Sequence, residues 1–177
     1  MRPTSLLPIA ASVALVLFGV TGCGYHTLGA ATHLPAGAHT IAVPVFATRT
    51  DSNGTEQAMT EAVVREFTAR TRFRVMTREG ADADAVLHGT ILKQTVLPLT
   101  YNAATQQSSS FMITIVASVT LNARDGRVLY QNKNYVFREQ YQATTDLPTF
   151  IQEDPAAIQR LSREFAKQLV ADVLEGY

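Results

Sequence analysis

The segment that most constrains the fold is FMITIVASVTLNA, from Phe111 to Ala123. Apolar side chains recur at every second position, and smaller or more polar ones such as Thr114, Ser118 and Thr120 lie between them. Successive side chains of a β-strand point to opposite faces, so the pattern predicts a strand with one face on a core and the other nearer to water. The predicted core-facing set is Phe111, Ile113, Ile115, Ala117, Val119 and Leu121.

The flanking segments predict two more strands in the same sheet. Asp125-Gly126 is a pair typical of tight hairpins, so VLYQNKNYVFREQYQ (Val128 to Gln142) should be the returning strand. VLHGTILKQTVLPL (Val86 to Leu99) is rich in β-branched residues and should be extended as well. Between these strands, Tyr101 to Ser110 is composed of small and polar residues, which predicts a loop that connects a long hairpin.

Nearer the N-terminus, HTIAVPVF (His39 to Phe46) predicts one short strand. Pro44 has no N–H to donate to a sheet, which favours an edge position for this strand. Phe73 to Thr77 begins another strand, and Arg78 to Ala85 interrupts it as a bulge or loop before it resumes at Val86. We therefore count the two parts as one strand.

Two segments have the apolar spacing of amphipathic helices. The first runs from about Gly54 to Arg70, with Met59, Val63 and Phe67 on one stripe. The second begins at Asp154-Pro155, an N-cap residue followed by proline at the first helical position. Its stripe is Ile158, Leu161, Phe165, Leu169, Val173 and Leu174.

The resulting order is β-α-β-β-β-α. It predicts an α+β fold, a two-layer sandwich in which a mixed four-stranded sheet carries both helices on one face. The domain should comprise residues 39–177, with the Thr and Ser side of the central strand left open.

The N-terminus predicts export. Residues 1–22 have a basic start and an apolar run from Leu6 to Val20, about 15 residues, which is typical of a signal peptide and too short to span a bilayer as a helix. Val20-Thr21-Gly22-Cys23 resembles the bacterial lipobox, whose cysteine is lipidated. Cys23 is the sole cysteine, so it cannot form an intrachain disulfide. We predict acylation of Cys23, with palmitate among the acyl chains.

Residues 23–38 are rich in Gly, Ala, Thr and Pro, and we predict a lipidated tether. Gly24, in place of Asp, favours the outer membrane, so we expect the protein to be anchored there on the periplasmic side. The chain has 15 Lys and Arg against 15 Asp and Glu, which gives no argument for binding nucleic acid.

The residues offer little for catalysis. The four histidines, His26, His33, His39 and His88, show no spacing typical of metal ligands. Asp82-x-Asp84 lacks the later glutamate of a calcium loop and predicts a solvated turn. No serine lies in a nucleophile elbow. We therefore predict a protein of binding or assembly, not an enzyme, without catalytic residues, cofactor or metal.

Three features suit contact with a partner. The polar hairpin tip is one, because long loops in compact domains are often binding loops. The open sheet face is the second, since small hydroxyl side chains let another surface approach closely. The third is the returning strand, which carries Tyr130, Asn132, Asn134, Tyr135 and Tyr141.

Several of these segments together resemble one family. They are Cys23-Gly24-Tyr25-His26, IAVPVF (Ile41 to Phe46), Thr48-Arg49-Thr50, the helix with TEAVVREF and the strand FMITIVASVTL. This combination resembles the LPS-assembly lipoprotein family, LptE, over essentially the whole chain after the signal peptide. The resemblance implies an outer-membrane lipoprotein that sits as a plug in the β-barrel translocon LptD, helps that barrel fold and helps deliver lipopolysaccharide to the outer leaflet.

Two alternatives stay open. One is a lipid-anchored pilot or binding module for another outer-membrane secretion pore, and the other is a small periplasmic hydrolase. A direct contact with lipopolysaccharide is also open, because family members place basic side chains near the hairpin tip and ahead of the last helix. Here neither Tyr101 to Ser110 nor Ala143 to Gln159 contains Lys or Arg. The candidates for contact with partner or lipid are therefore Tyr101, Lys93, Lys133 and Arg138.

Overall fold

The computed structural model describes residues 33–34, 37–51, 54–80, 82–102, 107–142 and 155–175, with the backbone alone at 101–102 and 107–109. These residues form six strands and two helices. They are β1 Thr40–Ala42, β2 Ala47–Thr48, α1 Thr55–Arg70, β3 Arg74–Met76, β4 Ala85–Asn102, β5 Gln107–Ala123, β6 Val128–Gln142 and α2 Pro155–Glu175. The α+β class and the mixed sheet are confirmed, with six strands where the sequence predicted four.

The sheet has the order β3-β1-β4-β5-β6, and β2 also pairs with β4. β1 is parallel to both β3 and β4, while β4, β5 and β6 form an antiparallel meander. The sheet therefore has a short parallel part next to a long antiparallel part.

The first predicted strand is divided in two. β1 ends at Ala42 and β2 begins at Ala47, so Pro44 lies in the break between them. β1 is flanked on both sides, which makes the predicted edge position wrong. Pro44 is compatible with this internal strand because it follows the last hydrogen bond between β1 and β3. That bond is donated by the Val43 N–H to the Met76 carbonyl at 2.7 Å.

The strand predicted to run with an interruption from Phe73 to Leu99 is also two strands. β3 and β4 lie on opposite sides of β1, so the connection between them crosses that strand instead of bulging within one ladder. Residue character alone cannot separate these arrangements, since both leave the same residues extended.

The start of β4 is held by Asp84, which is not the solvated turn residue that the sequence predicted. The Asp84 carboxylate accepts hydrogen bonds from the backbone N–H groups of His39 (2.9 Å) and Thr40 (3.0 Å). The Thr40 hydroxyl donates to it at 2.9 Å, and the Arg124 guanidinium lies 3.2 Å away. Donation from the His39 N–H is the main reason that the pKa of Asp84 lies below its ordinary value.

The hairpin of β4 and β5 is longer than predicted. Thr100 pairs with Ser110 and Asn102 with Gln107, so most of the predicted loop from Tyr101 to Ser110 is strand. Small polar residues are extended here because the two backbones pair, and strand propensity depends more on such context than on the residue itself.

Both helices cover one face of the sheet, as predicted. The core includes Met59, Val63 and Phe67 from α1 and the predicted stripe of α2, in which Leu174 is partly buried. Phe165 is at the centre: its ring packs edge-on against Phe46, Tyr135 and Phe137, with centroids 5.4 to 6.0 Å apart. Pro155 is the first residue of α2, as predicted, while Asp154 lies outside the described residues.

A glycine in β4 makes room for part of this core. A Cβ at Gly89 would lie 2.3 Å from the Phe46 ring, far inside contact distance. Phe46 is held in place from its backbone, because its N–H donates to the Thr60 hydroxyl of α1 at 3.0 Å. The close approach of ring and strand therefore requires glycine at position 89.

Part of the predicted tether contacts the domain. Leu34 is buried in the core, and the His33 ring lies 5.5 Å from that of Tyr130. The division of the chain into residues 1–22, 23–38 and 39–177 stays a prediction.

Candidate contact surface

The face of the sheet away from the helices is the candidate surface, and we call it the open face. The register places several rows on it that run across β4, β5 and β6, and three neighbouring rows cover Lys93 to Leu97 of β4. The rows are Lys93–Val116–Val136, Thr95–Thr114–Arg138 and Leu97–Met112–Gln140.

These rows bring Lys93 and Arg138 together. The two residues lie in neighbouring rows on the strands that flank β5, two strand spacings or about 10 Å apart across the sheet. Both are exposed. Within the described part of the chain, neither side chain has an ion-pair partner, so both charges are available to a ligand or partner.

A β-bulge decides that Lys93 is on this face. Ile91 pairs with Ala117 but Lys93 pairs with Val116, so one extra residue, Leu92, interrupts the alternation of β4. Without it, Lys93 would point to the helices with Leu87 and Ile91, because a shift of one residue reverses every side chain of a strand.

Apolar side chains surround the two cations. Leu97 is 60% exposed and Val136 37% exposed, and Met112 and Val116 are half-buried between them. The register places no Asp or Glu on the described part of the open face from β4 to β6. The patch is therefore both cationic and apolar, a combination suited to an acidic surface or to an anionic amphiphile.

The nearest carboxylates are directed elsewhere. Glu139 pairs with Ile113, which puts it on the helix side, where the Arg160 guanidinium of α2 donates to it at 2.6 Å. Glu79 contacts His88 at 2.8 Å, and His88 lies on the open face near the start of β4, five residues before Lys93. The sequence alone does not reveal that the cations and the carboxylates lie on different faces or at different ends of the sheet. The period-two spacing of Val136, Arg138 and Gln140 in β6 does predict that these three side chains share one face.

The other predicted contact residues are placed less favourably. Lys133 is exposed but lies in a bulge of β6, between Asn132, which pairs with Val119, and Tyr135, which pairs with Ala117. It is thus outside the three rows. Tyr101 belongs to β4 by its backbone, and its side chain is outside the described residues.

Two of the tyrosines proposed for contact are buried, so that part of the prediction is wrong. Tyr135 and Tyr141 pair with Ala117 and Phe111, and both face the helices. The Tyr135 hydroxyl donates to the Asp172 carboxylate of α2 at 2.6 Å. Burial, together with this bond, raises the pKa of Tyr135 above its ordinary value, so the group is a fixed donor that fastens α2 to the sheet.

A groove of about 820 Å³ lies beside α1, on another part of the molecule. Its lining has one carboxylate, Glu61, and one guanidinium, Arg65, and contains neither His nor Cys. Convergent catalytic groups, which a hydrolase site would need, are not found in this lining.

The described residues contain no group of three or more His, Cys, Asp or Glu side chains that could hold a metal ion. No helix among them has the length and apolar character needed to cross a membrane.

The fold is similar to that of solved structures at low sequence identity. Uncharacterized lipoprotein B from Nitrosomonas europaea matches with a TM-score of 0.50 and 12% identity, over 86% of this chain and 91% of that one. PelC from Paraburkholderia phytofirmans, solved as a dodecamer, gives 0.49 and 11% over 80% and 92%. Lipoprotein GNA1162 from Neisseria meningitidis gives 0.44 and 13% over 77% and 99%. The last two TM-scores are below 0.5.

No curated protein sequence matches this chain. The family model described as "LptE: Lipopolysaccharide-assembly" matches residues 38–173, which include every strand and nearly all of both helices. The chain therefore belongs to the LptE family of lipopolysaccharide-assembly proteins.

Proposed function

We propose that this protein is a lipoprotein anchored through Cys23 on the periplasmic side of the outer membrane, where it plugs the β-barrel translocon LptD and assists its assembly. Family membership supports a place in lipopolysaccharide assembly. The observation that carries the rest is the open face: an exposed surface on which two free cations lie among apolar side chains, with no Asp or Glu in the described rows around them. Its role is contact and guidance, without catalysis.

The chemistry of the open face suits the inside of a barrel. The lumen of an outer-membrane barrel is polar, and the small side chains of Thr114, Ser118 and Thr120 let another surface approach closely. Lys93 and Arg138 can each form charge-assisted hydrogen bonds with acidic groups, which are stronger than bonds between neutral groups.

The same pair also suits lipopolysaccharide, which is anionic and carries acyl chains. Arg138 would contact a phosphate through its guanidinium, Lys93 would add a second positive charge, and Leu97 and Val136 would meet apolar parts of the lipid. Lys133 and Tyr101 are secondary contacts in this proposal.

The first experiment identifies the partner. The tagged full-length lipoprotein is purified from detergent-solubilised outer membranes, and its mature N-terminus is analysed by mass spectrometry. We expect an acylated Cys23 and co-purification of LptD, and we expect depletion of the protein to lower surface lipopolysaccharide. Recovery of a different pore with normal surface lipid would instead support the pilot role for another secretion system.

The second experiment tests the open face. We expect Lys93→Glu combined with Arg138→Glu to weaken binding to lipopolysaccharide micelles about tenfold or more, since two attractive contacts become repulsive. The matched control is Arg163→Glu with Lys167→Glu, which makes the same change of charge on exposed positions of α2. Equal binding by both double variants would remove the open face from the lipid contact.

A further inference from the structure

The two edges of the sheet differ in length. β3 closes one edge with 3 residues, whereas β6 closes the other with 15 residues. An edge strand presents unpaired N–H and C=O groups, and natural proteins limit this hazard with short strands, charged side chains, prolines, bulges or covering segments. β3 is protected by its shortness, and β6 is not.

The bulges of β6 are confined to its first half. Irregularities in the pairing with β5 occur opposite Ala117/Val119 and Leu121/Asn122, and both place the extra residue on β6 before Tyr135. From Tyr135 to Gln140 the register is unbroken and the segment contains neither Pro nor Gly. Among the described residues, no strand pairs with the other side of this segment, which we call the free edge.

Hydrogen bonds near the β5–β6 turn show which amides of the free edge point outward. The Ala123 N–H donates to the Arg127 carbonyl toward β6, and the Arg124 N–H donates to the Asp84 carbonyl in the opposite direction. Because β5 itself has no extra residue, its odd-numbered amides continue to point to β6.

The β6 residues opposite those odd-numbered positions therefore bond to β5. Tyr135, Phe137 and Glu139 pair with Ala117, Ile115 and Ile113. In antiparallel pairs the remaining residues point their backbone groups away, so the N–H groups of Val136, Arg138 and Gln140 face outward. Their side chains lie on the open face and are exposed.

We infer that the free edge of β6 receives an extended segment of the barrel partner, which adds a strand to this sheet. A row of outward backbone groups at strand spacing is matched by another extended backbone. The strands of a closed barrel are paired on both sides, so the added segment is a loop or a part of the partner outside the barrel wall.

Charge restricts the segment further. Arg138 stands on the open side of the free edge without a carboxylate beside it among the described residues, while Glu139 on the helix side is already bonded to Arg160. The segment therefore carries an acidic side chain opposite Arg138. This inference rests on the proposed function, because it takes the partner to be the translocon.

Amide hydrogen exchange tests the inference. The full-length lipoprotein is measured alone and in the complex purified from outer membranes. We expect the amides of Val136, Arg138 and Gln140 to exchange about tenfold or more slowly in the complex. The control is the Val75 amide on the opposite edge: since Arg74 donates toward β1 at 2.9 Å, Val75 points outward and should keep its rate.

A matched pair of variants isolates the backbone contribution. Gln140→Pro removes an outward N–H, and Gln140→Ala keeps it, while both lose the side-chain bond from Gln140 to the Ser110 hydroxyl. We expect the proline variant alone to lower recovery of the partner, by about tenfold.

Each other outcome overturns the inference in a recognisable way. Unchanged exchange in an intact complex refutes the added strand and leaves the plug role standing. Slow exchange in the isolated protein means that its own chain or, if it depends on concentration, a second copy covers the edge. If no barrel protein co-purifies, the proposed function fails and the added strand fails with it.

Discussion

The two sides of β5 belong to the same strand but have different surroundings. Ile113 and Ile115 are fully buried beneath the helices, whereas Thr114 and Val116, one residue away, are half-exposed on the open face. The helix side is filled by packed apolar groups, so its residues are set by the free energy of folding. The residues of the open side do not have to pack in a core, so this side can carry unpaired cations and exposed apolar groups.

The largest effect should separate neighbouring positions of β5. We expect Ile115→Ala to lower the free energy of unfolding by about 2–5 kcal/mol, because it leaves a cavity in the core. Val116→Ala should cost about 1 kcal/mol or less, since that side chain is only half-buried. Urea denaturation of both variants measures the difference, and equal costs would show that the two faces are not distinct.

A smaller loss is expected where ring and strand meet on the helix side. Gly89→Ala places a methyl group against the Phe46 ring, and such overpacking costs about 1–3 kcal/mol. Combining it with Phe46→Leu should recover part of the loss, which a double-mutant cycle would measure. If the effects simply add, the contact with Phe46 is not the cause.

The Asp84 carboxylate is a charge that contributes to folding, in contrast to the charges on the open face. The pKa of Asp84 is below its ordinary 3.8 in the folded protein, so the unfolded state takes up the proton first as the pH falls. The contribution of Asp84 to stability is therefore complete above about pH 5 and is lost as the pH drops below about 4.

Asp84→Asn should be less stable than the natural protein at about pH 7, and the difference should shrink toward about pH 2. Thermal unfolding across this pH range provides the measurement. Because the carboxylate is partly exposed, its Arg124 contact should add little to that provided by the backbone N–H donors. A difference between the two proteins that stays constant with pH would assign the loss to geometry instead of charge.

The smallest effect on stability is expected on the open face. Replacement of Lys93 and Arg138 by Ser should change the free energy of unfolding by no more than about 0.5 kcal/mol each, as is usual for surface positions. Loss of partner or lipid binding at unchanged stability would sharpen the contrast between the faces. A large loss of stability would instead show that these cations serve the fold.

Much of the fold follows from local patterns. The alternation of β5 and the stripes of α1 and α2 predicted their buried faces, because burial of one face requires apolar residues at the period of that element. The strand count was wrong near β1, where the separate placement of β3 and β4 depends on contacts distant in sequence. Asp84 shows this clearly: its main partners, His39 and Thr40, lie 45 and 44 residues earlier in the chain.

The candidate surface was also predicted only in part from the sequence. Lys93 and Arg138 were predicted as the nearest basic candidates on the sheet, but nothing in the sequence placed them in neighbouring rows of one face. That depended on the pairing of β4 with β5 and on one extra residue at Leu92. A signal for Arg138 was available in the alternation of β6, and none was available for Lys93.

The sequence by itself determined the class of fold, the buried stripe of each helix and the alternation of β5, since these arise from periodic side-chain chemistry within one element. Tertiary structure decided which strands are neighbours, where the bulge falls and hence which face Lys93 occupies. The physical reason is that strand pairing is a contact between distant segments, and a shift of one residue in its register exchanges the two faces of a strand.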